Sequence, residues 1–314
     1  MQSTTYKIKS SIFKYLVMIK YSLTILLSTI LFSCTKDDDK IQPLTETIET
    51  VYTLPIVVHV VHAGESVGTG YNVSNDRIYD QINILNNDFR KKEGTLGHNM
   101  HVLGADAKIE FKLAEIDPDG NPTEGIRRVN FHDITIDVDN NWFFDDLPYY
   151  GYWNKREYIN IWVFPLNGAL GQSSVPYVNI PGLDDANPDG STGILISTTH
   201  FGTVDESLGR TLTHEMGHFL GLEHLWGKTE NSNCMEFDDY CDDTPHVSRR
   251  TGNCDDTANL SCNGEPALTQ NYMDYTSDAC MNMFTKDQVA RMRYVLKNST
   301  VRSTLITSLA IIRN

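Results

Sequence analysis

Eleven residues, His214-Glu215-Met216-Gly217-His218-Phe219-Leu220-Gly221-Leu222-Glu223-His224, constrain this chain more than any other part of it. On a helix, side chains four positions apart share one face, so His214 and His218 can aim two imidazoles at a single metal ion. Glu215 stands beside the first of them, where its carboxylate reaches a metal-activated water without ligating the metal. Gly221 can take a positive φ, which ends the helix and turns the chain so that His224 returns to the same ion. Three protein ligands leave a fourth position open, the arrangement of a catalytic zinc site rather than a structural one. The pattern therefore predicts zinc on His214, His218 and His224, with Glu215 as general base for hydrolysis. The remaining histidines, His59, His62, His98, His101, His132, His200 and His246, lack such spacing and read as strand, loop or surface residues.

A site of this kind needs a core and a cleft, and 314 residues are enough for both. Acids outnumber bases 41 to 26, which argues against a nucleic-acid partner and favours a soluble acidic surface. The first 33 residues differ from the rest: Lys7, Lys9, Lys14 and Lys20 occur without any acid, followed by an apolar run from Tyr21 to Phe32 that is short for a membrane span. This predicts a signal peptide, with translation starting at Met1 or Met18. It ends in Leu31-Phe32-Ser33-Cys34, which resembles a lipoprotein box with lipidation on Cys34. Its removal takes four lysines and moves the formal charge from −15 to −19. The following Lys36-Asp37-Asp38-Asp39-Lys40 resembles the acidic signal that sends lipoproteins to the surface of Bacteroidota, so export to the outer membrane, with possible surface display, is expected. Residues 34–53 read as a lipidated tether or short propeptide.

Folded structure is expected over residues 54–300, with 301–314 as a C-terminal tail. Leu54–Val61 is a continuous β-branched run suited to a buried strand. Ser74 opens a helix over Asn75–Phe89, whose Ile78, Ile82, Leu85 and Phe89 recur at helical spacing. Further strands are predicted at Lys108–Glu115, Tyr158–Phe164 and Ile194–Ser197. A helix from about Asp205 to Leu220 carries the metal motif, and another over Lys286–Lys297 is opened by Thr285 with Gln288 three residues on, a capping box.

The extended motif, with Asn271-Tyr272-Met273-Asp274-Tyr275 downstream, resembles the metzincin metallopeptidases. Gly209-Arg210-Thr211-Leu212-Thr213, Asp239-Tyr240-Cys241-Asp242-Asp243-Thr244-Pro245 and Cys280-Met281-Asn282-Met283-Phe284-Thr285 make it similar to the pappalysin family within that clan. The resemblance implies an α+β fold of two subdomains around a cleft. A twisted five-stranded mixed sheet with helices would lie above an irregular lower half. It implies that Met273 packs beneath the metal site, that Tyr275 stabilises the tetrahedral intermediate, and that substrate lies extended along an edge strand near Leu170–Pro176. Asp278 matches an acid at the pocket floor of relatives that prefer Arg or Lys after the cleaved bond. Asp239 and Thr244 match a calcium loop, whose hard oxygen donors suit that ion.

Five cysteines follow Cys34, and outside the cytoplasm they are expected to be oxidised. The family likeness favours Cys234 with Cys262 and Cys254 with Cys280, leaving Cys241 over; spacing alone leaves the connectivity open. The only cysteine upstream of the motif is Cys34, so a propeptide thiol on the zinc is not expected. The expected activity is that of an endopeptidase on protein or peptide substrates. The alternative is a surface binding protein that keeps the fold without catalysis.

Overall fold

Strand β1 (Tyr52–His62) is the spine of the sheet, and its side chains from Leu54 to Val61 are buried on both faces, as an apolar run without alternation requires. The computed structural model describes residues 50–130, 136–137, 151–186, 192–205, 207–230, 238–256 and 258–312. The leader with Cys34, most of the tether, His132 and Cys234 lie outside the described residues.

After β1 the chain enters helix α1 (Asn75–Phe89), where the Ser74 side chain accepts a hydrogen bond from the Arg77 amide. Ile78, Ile82, Leu85 and Phe89 of α1 share one core with Leu54, Ile56 and Val58 of β1. Strands β2 (Ile109–Leu113) and β3 (Ile126–Asn130) both pair parallel with the same edge of β1, β2 with Tyr52–Ile56 and β3 with Val58–His62. On the other edge β4 (Ile159–Phe164), buried throughout, runs parallel to β1. Beyond it lies β6 (Ile194–Ser197), parallel to β4, and then β5 (Gly171–Ser173), antiparallel to β6. The order is β2-β1-β4-β6-β5, a mixed sheet whose first position is shared end to end by β2 and β3. The α+β architecture with five strand positions agrees with expectation. β3 was not foreseen, because its Arg127 and Arg128 interrupt the apolar pattern.

Helix α2 (Arg210–Phe219) lies against β5 and β6 and is buried along nearly its whole length. It begins five residues later than the sequence suggested. Gly209 adopts a left-handed conformation at φ 78°, which a helix cannot pass through, and Thr203–Val204 pairs with Ser207–Leu208 in a small hairpin before it. Helix α3 (Lys286–Asn298) has the expected capping box of Thr285 and Gln288 and buries Val289, Met292, Val295 and Leu296. The expected tail is instead part of the fold. Residues 302–307 form a 3-10 helix, Leu305 and Ala310 are buried, and the Glu115 amide donates to the Ala310 carbonyl at 2.8 Å.

Candidate metal centre

The N-terminus of α2, the helix that carries His214 and His218, is anchored to α1. Arg210 donates Nη2 to Asp88 Oδ1 on α1 at 3.1 Å, and the Thr213 hydroxyl donates to Asp88 Oδ2 at 2.7 Å, with both charged groups buried. Asp278 Oδ2 accepts from the amides of Leu208 at 2.8 Å and Arg210 at 3.0 Å, supplying a negative charge to the first turn. The expected pocket-floor acid therefore also pins the helix that carries the motif.

One helical turn apart, His214 and His218 bring their Nε2 atoms to 3.1 Å, and His224 Nε2 lies 3.1 Å from that of His218. Tetrahedral coordination at Zn–N distances of about 2.0–2.1 Å puts donor atoms about 3.4 Å apart, so the three nitrogens suit one such ion. Among the described residues this is the only convergence of three metal-ligating side chains. His214 Nδ1 is 2.7 Å from the Tyr272 carbonyl and His218 Nδ1 is 2.8 Å from the Leu222 carbonyl. Each Nδ1–H donates there, which leaves the Nε2 lone pair facing the shared centre. Burial pulls His214 and His218 down from the usual 6.5 to about 3 and about 4, and it depresses His224 in the same direction. All three are thus neutral donors at physiological pH, the form a metal requires.

Gly221 makes the return of His224 possible. Its φ of +92° lets the chain reverse, and a Cβ there would sit 2.8 Å from both Leu183 Cδ1 and Val295 Cγ2. Past it, His224 stacks on Trp226 with ring centres 4.5 Å apart and planes at 11°, and meets Tyr275 edge-on at 4.8 Å. Trp226 was missed at the sequence level.

Glu215 is buried and lines the same cavity of about 570 Å³ as His214, Tyr275, Asp278 and Gly171. Burial pushes its carboxyl up to about 8, and a divalent cation alongside would oppose that shift. Gly171 of β5 lies so near that a Cβ would stand 2.7 Å from Glu215 Cγ, so the edge strand forms one wall of the site. Tyr275 is 45% exposed, close to His214 and His224, and its hydroxyl is pushed up to about 12 by burial and the Glu215 charge. Met273 is fully buried beneath α2, its sulfur against Gly217.

Away from this centre, Cys254 and Cys280 form the expected disulfide, with Cα atoms 5.4 Å apart. Cys262 is also disulfide-bonded, and Cys241 is a buried free thiol. The buried Asp239 carboxylate accepts the Thr244 hydroxyl at 2.7 Å and the Cys241 amide at 3.2 Å. Burial raises the Asp239 pKa well above the usual carboxylate range.

The geometry has close parallels. A family model described as Pregnancy-associated plasma protein-A matches residues 145–297. Mature mirolysin of Tannerella forsythia, solved in complex with a cleaved peptide, is 34% identical. That match covers 82% of this chain and 96% of mirolysin, with a TM-score of 0.69. A promirolysin mutant is 33% identical over 82% of this chain and 85% of its own length, with a TM-score of 0.71. An extracellular metalloprotease of Colletotrichum graminicola is 30% identical over 249 residues, 76% of this chain and 74% of that protein. By these likenesses and by the histidine site, the chain belongs to the pappalysin family of metallopeptidases, typified by pregnancy-associated plasma protein-A.

Proposed function

We propose that this metallopeptidase is an exported zinc endopeptidase in which Glu215 is the general base. The observation that carries the reading is the meeting of three neutral imidazole nitrogens, one of them on His214, which together with Glu215 and the edge-strand residue Gly171 lines the cavity. Zinc, when bound by His214, His218 and His224, supplies Lewis acidity that polarises a carbonyl and activates water at neutral pH.

The chain's own groups do the rest. An extended peptide pairs with the outer edge of β5, which has no strand partner among the described residues, and passes its scissile bond over Glu215. Glu215 accepts the proton of the attacking water and passes it to the leaving amine. The Tyr275 hydroxyl remains protonated at neutral pH and donates to the oxygen on which charge develops. Asp278, which lines the cavity, offers its second carboxylate oxygen to an Arg or Lys after the cleaved bond. Met273 serves as the apolar floor under the ligands.

The relatives named extracellular metalloproteases support export. We extend this to cleavage of residues 1–33, lipidation of Cys34 and anchoring to the outer membrane. Asp239 and Thr244 would hold a structural calcium ion, with Asp243 Oδ1, buried and unpartnered, close by in sequence.

The test is hydrolysis of casein. Glu215→Gln is expected to bind zinc as the parent does and to lose about 10²–10⁴-fold of turnover. The chelator 1,10-phenanthroline should abolish activity and added zinc restore it. A Glu215→Gln enzyme that still digests casein at a comparable rate would remove Glu215 from this role, and indifference to the chelator would remove the metal.

A further inference from the structure

The last carbonyls of α2 have no partner within their own helix, and they mark its electronegative end. Two arginines from the C-terminal part of the chain reach this region. Arg291 of α3 donates Nε to the Gly221 carbonyl at 2.7 Å and Nη2 to the Pro181 carbonyl at 2.9 Å. Arg302 donates Nε to the Phe219 carbonyl at 3.2 Å, and its guanidinium carbon lies 3.6 Å above the Phe219 ring. Its Nη2 donates to both the carbonyl and the hydroxyl of Ser174, each at 3.3 Å.

Arg302 is 1% exposed, and none of these contacts is a carboxylate. Burial lowers its pKa to about 9, which leaves it cationic at neutral pH. A buried cation with no carboxylate partner among the described residues is costly, and an apolar side chain of similar volume would serve packing better. What the guanidinium achieves is a bridge. Phe219 is the final residue of the helix bearing His214, Glu215 and His218, whereas Ser174 directly follows β5. The Ser174 hydroxyl is further fixed by the Gly193 amide at 3.0 Å, and at the other end of β5 Gly171 abuts Glu215. One planar cation therefore ties the catalytic helix to the edge strand at the far end from the Gly171 contact.

We propose that Arg302 is a positioning residue that fixes the gap between α2 and β5 and thereby sets how tightly an extended peptide is held. This rests on the reading of β5 as the strand that pairs with substrate. Its loss should weaken binding of long substrates while sparing both the metal and the bond-breaking step.

The test compares Arg302→Met and Arg302→Lys with the parent enzyme on a decapeptide and a tetrapeptide that share one scissile bond, with zinc affinity measured by chelator competition. Arg302→Met is expected to raise KM for the decapeptide about ten-fold, the effect of losing one charge-assisted hydrogen bond. The kcat, the tetrapeptide KM and the zinc affinity should stay within about two-fold. Arg302→Lys keeps the charge but cannot span both acceptors, so an intermediate KM is expected. Equal losses on both peptides, a fall in kcat alone, or weakened zinc binding would overturn the proposal. If Arg302→Met does not fold, hydrogen exchange on Arg302→Lys decides: amides of β5 should exchange faster with those of β4 unchanged, and uniform or absent change would overturn it. A parent enzyme that cleaves both peptides with the same KM would instead sink the β5 reading itself.

Discussion

Two of the three proposed ligands are held differently from the third. His214 and His218 ride on α2, which is tethered to α1 through Arg210 and Asp88, and each ring is aimed by a hydrogen bond to a main-chain carbonyl. His224 stands beyond the Gly221 turn in irregular chain, and among the described residues no hydrogen bond fixes its Nδ1. Trp226 and Tyr275 grip it face and edge instead. A hydrogen bond sets tautomer and direction, whereas a stack sets mainly the plane of the ring. The helix thus supplies a rigid half-site aimed by hydrogen bonds, and the turn supplies a third imidazole held by ring contacts.

The largest expected effect breaks the rigid half. Asp88→Ala leaves Arg210 buried without its partner and should destabilise the protein by about 3–5 kcal/mol in denaturant unfolding. The same pair has a pH signature. Burial pushes Asp88 up to about 6 despite Arg210, so the folded protein binds this proton more tightly than the unfolded chain does. The associated stability is complete below the ordinary carboxyl pKa of 3.8 and is lost as pH rises through about 6. Asp88→Asn should flatten that part of the profile. An unchanged slope between those values would mean that Asp88 is not the group responsible.

A smaller effect tests the other half. Trp226→Ala should weaken zinc affinity by about 10–100-fold, the range seen when groups that orient a ligand are lost, and Trp226→Phe should recover part of it. The readout is chelator competition on the purified protein, independent of turnover. Were Trp226→Ala to bind zinc as tightly as the parent, the stack would be incidental and the contrast between the two half-sites would dissolve.

This contrast also explains what could be read in advance. The i, i+4 spacing and the glycine are local, so His214, His218, Gly221 and the return of His224 were all readable. So were α1, from its helical apolar spacing, and β4, from its run of β-branched and aromatic residues. Trp226 carries no periodic signal because its role depends on a turn whose path no local rule fixes. Arg302 falls within the expected tail because long-range packing, rather than pattern, draws Val301, Arg302, Leu305, Ala310 and Ile311 into the fold. The start of α2 was misjudged because Leu208 and Leu212 continue the helical spacing upstream. The break comes from Gly209 and from the Asp278 carboxylate, which lies 68 residues away from Arg210.

The smallest effect concerns Gly217, whose place in mid-helix costs about 1 kcal/mol relative to alanine and so asks for a reason. The reason is Met273: a Cβ on Gly217 would stand 2.4 Å from the methionine sulfur. Gly217→Ala should therefore destabilise by about 1–3 kcal/mol through overpacking, against the sign of helix propensity. In a Met273→Ala background the clash disappears, and the same substitution should become neutral or favourable. The double-mutant cycle, read by denaturant unfolding of the metal-free protein, isolates that contact. A coupling near zero would mean that the methionine supports the rigid half-site by some route other than contact with α2.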